Sequence, residues 1–113
     1  MATPADIRRA ALALPEAIEI EDRHGLWFNV GKKTFILQRA SDARWIFKLP
    51  KARQDFLFEV RPETFAPYRA GALLWAYVDV AALSRDEAKQ LVAEAWTTIV
   101  PKKLSAPYLA PPK

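Results

Sequence analysis

The chain contains no cysteine, a single histidine and only three glycines. Without cysteine there are no disulfides and no thiolate metal sites, so a reducing cytoplasmic compartment is the expected home. The glycines, at positions 25, 31 and 71, are too scattered to form a phosphate-cradling loop. No histidine pair is available for a metal, and no G-x-S-x-G or paired-cysteine motif occurs. No apolar run approaches the roughly 20 residues of a membrane helix. The opening MATPADIRRAALALPEA also lacks the apolar core of a signal peptide. These absences speak against the familiar enzyme classes. The expectation is a non-catalytic protein with no cofactor, no metal site and no membrane partner.

What is present suits one soluble globular domain: 113 residues, 51% hydrophobic and 27% charged. The net charge of +4 is unevenly spread. Residues 1–22 carry two basic and five acidic groups, residues 23–61 nine basic and three acidic, and the remainder six and five. The positive excess therefore lies in the middle of the chain. Such a concentration attracts polyanions, although a solvated basic surface needs no partner at all.

Hydrophobic spacing supplies the elements. Thr3, Pro4 and Asp6 mark a helix start, and Ile7, Ala10, Ala11 and Leu14 form its apolar stripe. The acidic stretch Glu16 to Asp22 reads as a lead-in to a sheet. Three strands follow, Leu26 to Val30, Thr34 to Ala40 and Ala43 to Leu49, joined by tight turns at Gly31-Lys32-Lys33 and Ser41-Asp42. Gaps this short predict antiparallel pairing. In the third strand Trp45, Phe47 and Leu49 should face the core, with Arg44, Ile46 and Lys48 on the other face. Pro50 opens a short helix. RPETFAPYRAG reads as irregular or a short edge strand, because proline removes ladder donors. Leu73 to Val80 is a last strand. Ser84 and Glu87 then make the S-x-x-E capping box of a helix ended by Pro101. The expected fold is α+β: a two-layer sandwich of an antiparallel sheet packed against N- and C-terminal helices. Residues 1–104 form the single domain and 105–113 a proline-rich tail.

One ordered series spans nearly the whole chain. It comprises LALPEAIE from Leu12, the W-F-x-V-G-x-K-x-F pattern from Trp27, FKLP from Phe47, WAYVDV from Trp75 and AWTTIVPKKL from Ala95. In that series the chain resembles the MmcQ/YjbR-like family of small bacterial proteins. The resemblance implies a compact α+β fold. It also implies DNA binding, a label such proteins carry because their hairpins resemble paired wings.

Two surfaces are candidates for function. The first is a basic hairpin face of Lys32, Lys33, Arg39, Arg44, Lys48, Lys51 and Arg53, extended by Lys102 and Lys103, which could neutralise phosphates of DNA or another polyanion. The same charges would also serve as solvated, aggregation-blocking tips, and Lys102 and Lys103 as complements to a helix C-terminus. Asp42, at the second tip, should repel phosphate. The alternative is a protein-interaction or small-ligand surface around exposed Trp75 and Tyr77. The other aromatics read as core. His24 beside Asp22 reads as a turn residue rather than a general base, and the cluster Glu16, Glu19, Glu21 and Asp22 as a solvated segment, or a lid over the basic face. Oligomeric state is not encoded in any of these patterns.

Overall fold

The computed structural model describes residues 1–71 and 73–105. Helix α1, Pro4–Leu12, begins at a full capping box: the Thr3 hydroxyl accepts from the Asp6 amide (3.2 Å), and the Asp6 carboxylate accepts from the Thr3 amide (2.9 Å). Four strands follow as a meander: β1 Ala17–Asp22, β2 Gly25–Val30, β3 Lys33–Arg39 and β4 Trp45–Phe47. Helix α2 (Lys51–Val60) leads to β5 (Phe65–Ala70) and β6 (Leu73–Val78). A 3-10 turn at Val80–Ala82, α3 (Arg85–Thr97) and α4 (Lys102–Ser105) complete the chain. The sheet is antiparallel, in the order β1-β2-β3-β4-β6-β5. The α+β sandwich expected from the pattern is the fold observed. Ser105, assigned to the tail, closes α4, and residues 106–113 of that tail lie outside the described residues.

Two local expectations need correction, and one open alternative is decided. The acidic lead-in is strand β1, in which Ile18 and Ile20 alternate with Glu19 and Glu21 at the period of a strand. It is an edge strand, and its acids discourage pairing with another chain. Of the two alternatives for the proline-containing segment, the edge strand is the one observed: it is β5 at the opposite edge, a position that tolerates Pro67. The third predicted strand shrinks to three residues, all buried. It begins only at Trp45, because Ala43 sits at φ 59° and breaks the extended run.

All three long helices cover one face of the sheet. Ile7 and Ala11 of α1, Leu57 of α2, and Leu91, Val92 and Trp96 of α3 join one core with Phe28, Ile36, Phe47 and Val78. Arg53–Glu94 and Arg61–Glu87 ion pairs tie α2 to α3. No described helix covers the other face. By register it carries Ile18, Ile20, Trp27, Leu37, Ile46, Tyr77 and Tyr68. Ile46 is wholly buried there, flanked by Leu37 and Tyr77, so the alternation expected for this strand fails on its open side.

Gln54 fastens α2 to the sheet. Its buried side-chain amide donates to the carbonyls of Leu49 (2.8 Å) and Leu74 (2.7 Å), just beyond β4 and early in β6. Gln54→Leu preserves volume but leaves both carbonyls without this donor. The expected loss is about 1–3 kcal/mol, read as a lower urea midpoint with an unchanged slope. An unchanged midpoint would show that the two bonds contribute nothing net.

Candidate functional site

Strand β3 separates the predicted basic face into two ends. From Lys33 to Arg39 an extended strand covers roughly 20 Å at about 3.3 Å per residue. Lys32 lies in the β2–β3 turn and Lys33 opens β3. Lys48 joins them at that end, its amide donating to the Phe35 carbonyl (3.0 Å). The C-terminus of α3 arrives at the same place. The Thr98 hydroxyl, which donates to the Ala95 carbonyl (2.6 Å), lies 3.3 Å from the Lys48 carbonyl, and the Trp96 indole donates to the Pro15 carbonyl (3.1 Å) just before β1. Helix α4 then adds Lys102 and Lys103. Among the described residues Lys32, Lys33, Lys48 and Lys103 make no ion pair.

Two of the predicted cations, both on α2, are already paired with carboxylates. Lys51 pairs with Asp55 one helical turn on (2.7 Å), and Arg53 pairs with Glu94 of α3 (2.8 Å), turned towards the helical layer.

Arg39 and Arg44 stand at the far end of β3, apart from the lysines. Their geometry is set by Asp42. Its carboxylate pairs with Arg39 and accepts from the Arg44 amide (3.1 Å). The hydrogen bond from Arg39 holds the Asp42 carboxyl below the usual carboxylate range, aided by the Arg44 amide. The reciprocal bond raises the Arg39 guanidinium. Asp42 is thus neutralised by its neighbours rather than left to repel phosphate. The Arg44 guanidinium lies 3.6 Å from the centroid of the Tyr77 ring, with Arg39 at 5.2 Å. Tyr68 meets the same ring edge-on at 5.2 Å. The exposed aromatic surface expected here is therefore corrected. Trp75 is 8% exposed, and Tyr77 is half-buried beneath Arg44.

His24 is an exposed turn residue, as expected. The Asp22 carboxylate accepts from the amides of His24 (2.8 Å) and Gly25 (3.3 Å) and from the Trp27 indole (3.3 Å). The His24 amide is the main cause of its lowered pKa. Glu19, in the segment considered as a lid, pairs with Arg8 of α1. No group of three or more potential metal ligands occurs among the described residues. No described helix is long and apolar enough to cross a membrane.

Sequence reasoning missed a groove of about 540 Å³ beside Arg44. Gln38, Glu63, Thr64 and Asp79 contribute to its lining. These residues come from three separate segments with no shared spacing, so only folding brings them together.

The YjbR family model matches residues 12–98 of the chain. The fold is also similar to that in the crystal structure of the Deinococcus radiodurans protein DR2400, of domain family DUF419. That likeness has a TM-score of 0.74 at 22% identity, covering 98% of this chain and 91% of that one. No curated protein matches.

Proposed function

The chain belongs to the YjbR family, and from that premise we propose that it is a non-catalytic, cytoplasmic module that binds DNA through its phosphates at the lysine end. The carrying observation is the pattern of charge use. Arg8, Arg9, Arg39, Arg53, Arg61 and Arg85 are each engaged with a carboxylate, whereas Lys32, Lys33, Lys48 and Lys103 share one end of the sandwich and make no ion pair among the described residues. Flexible, strongly hydrated lysines suit phosphate neutralisation without base readout. The absence of cysteine supports the cytoplasmic placement.

Four phosphate contacts give a slope of about −3 to −4 in log affinity against log salt. Affinity for a short duplex should therefore fall about 100-fold between roughly 50 and 200 mM salt. Fluorescence anisotropy measures this directly. Changing Lys32, Lys33, Lys48 and Lys103 together to glutamine should abolish binding, while Lys89→Gln on α3 should leave it within about twofold, because exposed charges beyond a Debye length are screened. Absence of binding at low salt, or equal loss in both variants, would overturn the proposal.

A second reading, binding of a small ligand, is favoured by the groove beside Arg44, which lies at the opposite end.

A further inference from the structure

We propose that the groove beside Arg44 binds a short zwitterionic peptide, with the peptide carboxylate on Arg44 and its ammonium group facing Glu63 and Asp79. Four parts of the chain build the walls: the residues around Pro4, the β3–β4 turn, the loop between α2 and β5, and the exit from β6. The volume of about 540 Å³ lies within the range of small-ligand sites.

Arg44 is presented as an anion receptor. Its guanidinium carbon lies over the Tyr77 ring, 3.6 Å from the centroid, and Tyr68 braces that ring edge-on. It forms no ion pair among the described residues. Asp42, two residues before it, is occupied by Arg39 and by the Arg44 backbone amide. Stacking leaves the edges of the guanidinium fork open, the geometry that takes a carboxylate through two parallel hydrogen bonds. The turn that delivers it is strained, since Ala43 adopts φ 59°, where L residues other than asparagine and aspartate are uncommon. Such strain persists where the surrounding structure over-determines it, and it clusters at ligand sites.

The other charges in the groove select the ligand. Glu63 and Asp79 line it, both are exposed, and neither makes an ion pair among the described residues. The Asp79 amide donates to the Thr64 carbonyl (2.9 Å), which fixes the two acidic segments to each other. Neither acid lies within 4 Å of the Arg44 guanidinium nitrogens, so a ligand can lie between them. One guanidinium and two carboxylates leave the groove net negative. A polyanion is repelled there, which separates this site from the lysine end. A simple cation meets Arg44. A molecule with one carboxylate and one ammonium group satisfies both signs. Phe65, Val78 and Val80 add apolar wall, suited to small apolar side chains.

The test uses trialanine, titrated into the isotope-labelled protein and followed by amide proton–nitrogen spectra. Saturable shifts are expected at Arg44, Tyr77 and Asp79. Amidating the peptide C-terminus, acetylating its N-terminus, or changing Arg44→Gln should each weaken binding by about tenfold or more, the loss expected for a hydrogen bond between charged groups. Arg44→Lys should fall between, since it keeps the charge and loses the fork. The free-protein spectra of both variants report whether the fold is intact. Absence of saturable shifts with trialanine, equal affinity of the amidated or acetylated peptide, or unchanged affinity in Arg44→Gln would overturn the proposal.

Discussion

Replacing Trp96 by alanine lowers the stability of this fold by about 3–5 kcal/mol, the range for a large buried aromatic. Trp96 is fully buried and belongs to the single core that joins α3 to the sheet. Its indole N–H donates to the Pro15 carbonyl, 81 residues away in sequence. Removal therefore opens a cavity and deprives that carbonyl of this donor. A domain of this size is stable by only about 5–15 kcal/mol, so the variant approaches the unfolding threshold. Trp96→Phe keeps most of the volume and should lose about 1–3 kcal/mol. Urea unfolding followed by far-ultraviolet circular dichroism measures both, avoiding the fluorescence of the other three tryptophans. A Trp96→Ala loss below about 1 kcal/mol would show that the core closes around the deletion.

Gly25→Ala is the second severe change, with an expected cost of about 2–4 kcal/mol. Gly25 opens β2 opposite Arg39 of β3 at φ 148°. An added Cβ would stand 2.1 Å from the Gln38 carbonyl oxygen and 3.2 Å from the Ala40 amide nitrogen. Both are backbone atoms of the neighbouring strand or its exit, so neither can rotate away. Relief requires separating β2 from β3 at the turn that also positions Asp22 and His24. Gly31 provides the contrast. It adopts φ 62°, and a Cβ added there would meet nothing within 4 Å. Gly31→Ala therefore costs only the left-handed backbone term, about 1–2 kcal/mol. Thermal unfolding of the two variants separates steric clash from backbone strain. Equal losses would mean that the backbone near Gln38 yields freely.

The lysine end and the Arg44 groove divide the basic residues by chemistry. Among the described residues Lys32, Lys33, Lys48 and Lys103 make no ion pair where α3 and two strand ends meet, whereas arginines fasten helices, turns and a tyrosine ring. Arginine's planar fork suits fixed paired contacts, and lysine's mobile point charge suits phosphate. The two sites can therefore be tested independently, because no residue of one contributes to the other.

Local signals determined much of this architecture. Thr3 with Asp6 and Ser84 with Glu87 marked two helix starts, and both capping boxes form. Alternation and short turns determined the antiparallel meander, and the ordered pieces from Leu12 to Leu104 already carried the family. Strand β1 had the right period too, but its charges obscured an edge strand, which is free to stay largely exposed. What no spacing could decide was which cations stay free. Arg53 is claimed by Glu94 across 41 residues, and Arg44 by the face of Tyr77. Nor could composition separate Lys33 from Arg39, which share a strand but occupy its opposite ends. Helix caps and strand periods depend on neighbours a few residues apart, whereas ion pairing, ring stacking and the groove depend on which distant segments the common core brings within a few ångströms.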